Sequence, residues 1–256
     1  MNLFGVQRLL VTKLSLANAI FEESSTALSF DTVRWSLLIN VFGANNRLTE
    51  DYIRVRSDAQ ACLISGLVRE PGVSEFTQRT ILDIQEHTPN LVSFSESIVD
   101  QSQWERAADA ILQVANVHGK AASLAVEVNL FALIRNFVGN TALPSLVGTE
   151  FLDVYPKALD DLWDLDGGFN YLTLGLPRWF PIPSLTKAHI ARRNLLQGIG
   201  SFQEAIDKVA AGEEPHQPWV EMRDVGHIMR ERSSTWRAHG TPSKVKVPFD
   251  LSLLWS

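Results

Sequence analysis

The clearest pattern in the chain is an apolar stripe in its C-terminal half. Large apolar residues recur there at spacings of four, three, four and three, as on one face of an α-helix. The stripe consists of Leu195, Ile199, Phe202, Ile206 and Val209. Ser184 is a suitable N-cap, and Gly212 is a residue that ends helices. We therefore expect a long helix over residues 184–211 that packs this stripe against the core.

Shorter patterns predict further elements along the chain. Apolar periodicity and capping residues favour helices over residues 15–23, 49–68, 74–92 with a kink at Pro89, 104–117, 128–147, 156–167 and 220–239, and a helix start at residues 249–255. Residues 128–147 are nearly all apolar, which is typical of a helix buried on every side. Residues 6–11 resemble a short strand, and residues 24–46 a long loop with a short helix. The pattern predicts a mostly α fold with a minor β-sheet.

Composition adds limits on location and partners. The chain has 256 residues, of which 45% are hydrophobic and 20% charged, and its net charge is −6. This balance disfavours nucleic acid as a partner. The uncharged apolar stretches are short, and residues 1–10 make a poor secretory signal, so we expect no transmembrane segment and an intracellular location.

The densest group of acidic residues lies near the middle of the chain, at Asp160, Asp161 and Asp164. Residues one helical turn apart share a face, so these carboxylates are candidates for a divalent cation. Such a motif is typical of Mg²⁺-dependent terpene synthases, which are also helical. The second metal motif of that family has its nearest match at Arg223, His227 and Glu231, where two of the three ligand positions are wrong and the arginine cannot bind a cation. The other interpretation is a solvated acidic helix face.

Other common signatures are absent from the sequence. No two of the six histidines are three or four residues apart, and no dinucleotide-binding, P-loop or nucleophile-elbow motif occurs. The single cysteine, Cys62, excludes internal disulfides and multi-cysteine metal sites. It lies in a predicted helix without a neighbouring base, so we interpret it as a small core residue.

Three segments together resemble a known family. They are WDLDGGFNYLTLGLPRWFPIPSLTKAHIARRNLL, DVGHIMRERSSTWRAHG and FDLSLLWS, and the N-terminal QRLLVTKLSLANAIF adds a weaker match. In this order they resemble fungal haem-thiolate monooxygenases of the cytochrome P450 superfamily, in its sterol- and prostanoid-hydroxylase-like branch. The string GLPRWFPIP followed by ARRNLL is the most specific part. The resemblance implies the N-terminal half of the P450 fold, as a single incomplete domain over residues 1–256 that stops at the start of the long central helix.

The resemblance also implies a function for the intact protein. A member of this family hydroxylates a lipophilic, sterol- or fatty-acid-like substrate with O₂ and electrons from NAD(P)H, delivered by a reductase at the endoplasmic-reticulum surface. Its cofactor is haem, held by a cysteine thiolate in an F-x-x-G-x-x-x-C-x-G loop. The only cysteine, Cys62, is not in such a loop, so the haem-ligand loop is missing from this sequence. The family's E-x-x-R pair is missing as well. We therefore expect a chain that is inactive alone and has no catalytic residue of its own.

By the same resemblance, residues 24–46 correspond to the variable lid over the substrate. The expected substrate-binding residues are Phe30 and Val33 in that lid, and Phe169, Tyr171 and Leu174 where the access channel closes. Their apolar and aromatic side chains suit a hydrophobic pocket, and ordinary core packing explains them equally well. Two other functions stay open: the Mg²⁺-dependent terpene synthase and a non-catalytic helical interaction protein.

Overall fold

The computed structural model describes residues 2–3, 6–7, 11–23, 31–115 and 123–255. The helices in these ranges are α1 (Leu14–Glu22), α2 (Asp31–Asn40), α3 (Thr49–Leu67), α4 (Gly72–His87), α5 (Gln103–Ala107), α6 (Leu130–Val147), α7 (Thr149–Val154), α8 (Ala158–Gly167), α9 (Phe169–Thr173), α10 (Pro183–Ala210), α11 (His227–Ala238) and α12 (Ser243–Trp255). Single 3₁₀ turns precede α3 at Asn46–Leu48 and follow α4 at Thr88–Asn90. The strands are β1 (Asn2–Leu3), β2 (Val6–Gln7), β3 (Ile111–Ala115) and β4 (Ser123–Glu127).

The predicted fold class is confirmed at this level, because helices dominate and the strands form only two small antiparallel pairs. In the first pair, Leu3 lies opposite Val6. In the second, Ile111 lies opposite Glu127. The helices therefore build the core, and the sheets lie outside its main cluster.

Helix α10 is the centre of that core. Its face from Leu185 through Leu195 and Ile199 to Phe202 is buried against α8, α9, α11 and α12. The predicted stripe is confirmed at four of its five positions, and Val209 is the exception, since 45% of this side chain is exposed in the last turn. The predicted end of the helix is also correct, because Gly212 has a φ of +76°, which a glycine adopts without strain.

Helices α8 and α10 approach each other closely beside Gly168. A Cβ atom at this position would lie 2.3 Å from Cβ of Ala188 and 3.1 Å from the carbonyl oxygen of Ser184. Contacts this short do not occur between real Cβ atoms and backbone, so the spacing of the two helices requires a residue without a side chain. Gly168 thus fixes α9 against the start of α10.

The helix predicted over residues 104–117 is wrong beyond its first turn. Ser102 caps α5 through a capping box with Glu105, so a turn of helix does form. Asp109 then takes a φ of +52°, which ends the helix, and the chain continues into β3. The residues Ile111 to Ala115 are paired with β4, a partner that a local periodicity does not reveal. Residues 116–117 of the predicted helix lie outside the described part of the chain.

Several predicted boundaries also shift. Strand β2 is shorter than the predicted strand over residues 6–11, of which residues 8–10 lie outside the described part of the chain. Helix α11 begins at Gly226 as its N-cap rather than at residue 220. Helix α12 begins at Ser243, six residues before the predicted start, because Lys246 and Pro248 are both accommodated inside it. Residues 31–40 of the predicted lid form α2, and residues 24–30 lie outside the described residues.

Helix α6 runs without a break through Gly139 and Pro144, but it is not buried on every side as predicted. One face, which includes Leu133 and Phe137, is buried, whereas Phe131 on another face is 74% exposed. Within the described residues, α6 is the one helix that by length and composition alone reaches the threshold for crossing a membrane, and 39% of it is buried inside the protein. Its exposed apolar face is the starting point for the candidate site.

Candidate functional site

An apolar groove of about 540 Å³ runs along the exposed face of α6, between this helix, α8 and the last turn of α12. Its volume lies within the range of roughly 300–1,000 Å³ that is usual for small-molecule sites. Its lining residues are Phe76 from α4; Phe131, Ile134, Arg135, Val138, Gly139, Ala142, Leu143 and Leu146 from α6; Leu159, Leu162, Trp163 and Asp166 from α8; and Leu253, Leu254 and Trp255 from α12. We refer to this set as the apolar groove.

The spacing along α6 explains why its side chains line one groove. Phe131, Arg135, Val138, Ala142 and Leu146 follow one another at three- or four-residue intervals, so they lie on a single helix face. Because most of these side chains are apolar, the face offers a hydrophobic wall rather than a hydrogen-bonding surface.

Gly139 sets the width of the groove floor. A Cβ atom at this position would lie 2.9 Å from Cδ2 of Leu159 and 3.1 Å from the ring of Trp163. The missing side chain therefore lets α6 and α8 approach each other beneath the groove.

The main polar group of the groove is Arg135, which is held over aromatic rings. Its guanidinium carbon lies 4.7 Å from the ring centroid of Trp163 and 5.6 Å from that of Phe131. Trp163 is itself fixed, because its Nε1 donates a hydrogen bond of 2.9 Å to Oδ1 of the buried Asn136. Nε of Arg135 is buried and has no hydrogen-bond partner within the described residues. This N–H is a buried donor whose hydrogen-bonding capacity the described residues leave unused.

The other end of the groove is closed by Trp255. Its Nε1 donates a hydrogen bond of 3.1 Å to Oδ1 of Asp166 on α8. Its ring stacks on Phe169, with 4.5 Å between centroids and 3° between planes, and meets Phe42 edge-on at 5.8 Å. These contacts hold the last turn of α12 against α8 and α9, and they give the groove an ordered aromatic wall.

Of the predicted substrate-binding residues, the four that the structure describes, Val33, Phe169, Tyr171 and Leu174, are not among the lining residues of the groove. Phe169 stacks on Trp255, a lining residue, and so supports the groove wall from behind. Tyr171 is half-buried against the main core, and Leu174 is the C-cap of α9. Val33 is 57% exposed on α2, and Phe30 lies outside the described residues.

The acidic cluster has a structural role in α8. The carboxylate of Asp161 accepts hydrogen bonds from the Tyr155 hydroxyl and, at 3.4 Å, from Nδ2 of Asn194. Burial raises the pKa of Asp160, and the charges of Asp161 and Asp164 raise it further. Among the described residues, no three His, Cys, Asp or Glu side chains lie close enough together to hold a metal ion.

The other residues singled out from the sequence are also placed. Cys62 is half-buried on α3, and its Sγ lies 3.1 Å from Oγ1 of Thr235 on α11. In the second terpene-synthase motif, His227 contacts Glu231 at 3.2 Å and Arg223 contacts the neighbouring Glu221. These residues form local surface pairs.

The sequence analysis did not identify the groove, although two signals for it were present. Arg135 interrupts an otherwise apolar run, which is unusual for a helix buried on every side. Trp163 lies in an acidic stretch of α8, between Asp161 and Asp164. A large aromatic side chain at such a position indicates a contact with another helix. The contribution of Trp255 had no local signal, because it depends on α12 packing beside α8.

Comparison of the chain with protein-family models, with curated proteins and with solved structures finds no match.

Proposed function

We propose that this chain binds a lipophilic, sterol-like molecule in the apolar groove, as the substrate-holding part of a haem-thiolate monooxygenase. The observation that carries the proposal is the groove itself: about 540 Å³ of space with an almost wholly apolar lining and one unpartnered buried N–H on Arg135. A cavity with these properties suits a ligand with a large apolar body and a single oxygen acceptor.

The resemblance described from the sequence supports the family part of the proposal. The segment from Trp163 to Leu196 forms the end of α8, all of α9 and the start of α10, and the last segment forms the end of α12. Two of the resembling segments meet in the groove, since Trp163 and Asp166 come from the first and Trp255 from the last.

The residues of this chain that act on the ligand do so by binding and by excluding water. Ile134, Val138 and Leu254 offer apolar surface, and covering it with a lipophile is favourable by roughly 25 cal/mol per Å² buried. Arg135 orients the ligand through its free N–H, while the rings of Trp163 and Phe131 hold the guanidinium group in place.

The described residues do not provide a cysteine suited to serve as the axial haem ligand. A bound haem would supply oxygen activation in this family, and the only thiol in the chain is that of Cys62. That thiol lies in the middle of α3 and is engaged with Thr235 of α11, so it is part of a helix–helix contact. No oxygenation step therefore follows from this chain's own residues.

A binding experiment tests the proposal. A fluorescent sterol that accepts energy from tryptophan is titrated into the protein, since Trp163 and Trp255 both line the groove. Val138→Asp places a carboxylate in the groove, and the cost of covering it with a lipophile predicts at least about a tenfold loss of affinity. Val220→Asp is the matched control, because Val220 is similarly exposed (55% against 47%) and lies outside the groove lining.

The two outcomes are distinct. Saturable energy transfer that weakens in Val138→Asp and is unchanged in Val220→Asp supports the proposal. No saturable binding, or equal binding by both variants and the original protein, contradicts it. Circular dichroism of both variants confirms that the helices are intact.

A further inference from the structure

A second cavity of about 520 Å³ lies on the other side of α12, between α2, α3 and α11. Its floor is apolar and aromatic, with Leu38, Phe42 and Phe249 among its lining residues. Its mouth is charged and polar: Arg34 and Asp31 come from α2, and Arg56, Ser57 and Gln60 from α3. We call this cavity the arginine pocket. Its mixed lining separates it from the apolar groove.

The charges of the pocket are unequal. Arg56 is paired with Asp31 at 2.5 Å, and Arg232 at the back of the pocket is paired with Asp250. In the described part of the chain, Arg34 donates a long hydrogen bond of 3.5 Å to the side-chain oxygen of Gln60 and is in no ion pair. Among the described residues, three guanidinium groups line the pocket, and two carboxylates, Asp31 in the lining and Asp250 behind it, pair with Arg56 and Arg232. The pocket therefore carries a net positive field.

Tyr52 adds a neutral donor at the same place. Tyr52 is only 4% exposed and lines the pocket. Its ring stacks on Phe249 at 5.1 Å and meets the ring of Trp35, tilted by 35°, at 4.5 Å. Its hydroxyl has no hydrogen-bond partner in the described part of the chain. Burial raises the pKa of this hydroxyl, the charges of Arg56 and Arg34 oppose that rise, and the charge of Asp31 adds to it, so all three side chains act on the hydroxyl through space. Because this hydroxyl can donate a hydrogen bond, it is suited to a carboxylate oxygen in the pocket.

We infer that the arginine pocket binds the carboxylate of a long-chain monocarboxylic acid, with the alkyl chain on its apolar floor. Arg34 would supply charge-assisted hydrogen bonds to the carboxylate, and the Tyr52 hydroxyl would donate a further hydrogen bond to it. The chain would pack against Leu37, Leu38 and Phe249. The inference does not rest on the proposed function, because it concerns different residues and a charged ligand.

The test compares decanoate with decanol, which has the same chain length and no charge, by isothermal titration calorimetry. The original protein should bind decanoate at least about tenfold more tightly than decanol, because a hydrogen bond to a charged group exceeds a neutral one. Arg34→Met should remove most of this difference and leave decanol binding unchanged. Tyr52→Phe, which keeps the stacked ring, should weaken decanoate binding several-fold.

Arg54→Met is the matched control for charge. Arg54 is also an exposed arginine, lies on α3 and is paired with Asp51, but it does not line the pocket. This variant should bind decanoate within about twofold of the original protein. Higher salt should weaken decanoate binding in the original protein and not in Arg34→Met, since only the former depends on the unmatched charge.

Three results would each overturn the inference: no measurable binding of decanoate, equal affinity for decanoate and decanol, or equal loss of affinity in Arg34→Met and Arg54→Met. Sterol binding measured on the same variants separates this site from the apolar groove. Arg34→Met should leave it unchanged, whereas Val138→Asp should weaken it without affecting decanoate.

Discussion

Arg232 on α11 and Asp250 on α12 form an ion pair in which each side chain is only 1% exposed. Oδ1 of Asp250 accepts from Nε of Arg232 at 2.6 Å, and Oδ2 accepts from Gln203 on α10 and from Trp236 at 3.3 Å. Nη1 of Arg232 also donates to the carbonyl oxygen of Ala59 on α3, at 3.1 Å. One buried pair thus connects four helices, and it lies at the back of the arginine pocket.

Removing one partner of this pair should be strongly destabilising. Asp250→Asn leaves the Arg232 guanidinium buried without a counter-charge, and we expect a loss of about 3–5 kcal/mol in the free energy of unfolding. Denaturant titration followed by circular dichroism measures it. Asp51→Asn removes the partner of Arg54 in an exposed pair and should cost less than about 1 kcal/mol. Equal losses in the two variants would show that the buried pair is not the stronger link.

Two adjacent glycines provide a test of the packing between α8 and α10. Gly168→Ala places a Cβ atom 2.3 Å from Ala188 and should destabilise the fold by about 1–3 kcal/mol. Gly167→Ala places a Cβ atom with no heavy atom within 4 Å and should be neutral or slightly stabilising. Thermal unfolding of both variants measures the difference. A Gly168→Ala protein as stable as Gly167→Ala would contradict the close approach of these helices.

Acid should weaken the contact that Asp207 makes between α10, α11 and α12. Burial acts to raise the pKa of Asp207, but hydrogen bonds from Lys246 (2.6 Å), Ser233 (2.6 Å) and Arg237 (3.1 Å) outweigh it and leave the pKa lowered. A lowered pKa in the folded state means that the stabilisation is present above the ordinary aspartate pKa of about 4, and is lost as the pH falls through the folded-state pKa.

The measurement is the unfolding midpoint between pH 7 and pH 2. Asp207→Asn should be less stable than the original protein by about 1–3 kcal/mol at pH 7, and this difference should shrink below pH 4. Glu213→Gln, a change at an exposed residue, serves as the control and should not alter the profile. A difference that stays constant down to pH 2 would show that the Asp207 charge does not contribute.

The position of Cys62 predicts the behaviour of the chain with haemin. Because this thiol contacts Thr235 between α3 and α11, we expect that reduced, haemin-treated protein with carbon monoxide lacks the red-shifted Soret band of thiolate ligation. Cys62→Ser should give the same absorption spectrum as the original protein. A thiolate-type band that disappears in Cys62→Ser would show that this cysteine is a haem ligand.

Local pattern was sufficient for some elements and not for others. Helix α10 follows from its own residues, because a regular stripe and Gly212 define its face and its end. Strand β3 does not follow from its own residues, since Ile111 and its neighbours are paired with β4. The helical pattern that precedes them forms only the short helix α5. In this region pairing between distant residues decides the structure, and a short window of sequence does not contain it.

Less of the candidate site than of the fold could be predicted from the sequence. The apolar residues of α6 predict burial, but which of them face the protein and which face the groove depends on how α8 and α12 pack against it. The sequence indicated that Phe169 suits a ligand site. It did not indicate that Phe169 stacks on Trp255, because these two residues are far apart in the chain. The packing of the helices determines which side chains line the space.

The central claim is that the apolar groove holds a lipophile, and photo-crosslinking with a diazirine-bearing sterol tests it most directly. After irradiation, peptides are mapped by mass spectrometry with and without excess unlabelled sterol. We predict competable labels on α6 and α12, around Val138 and Leu254, that are lost in Val138→Asp and kept in Val220→Asp. Labels spread evenly over the surface, or concentrated in the arginine pocket, would contradict the account.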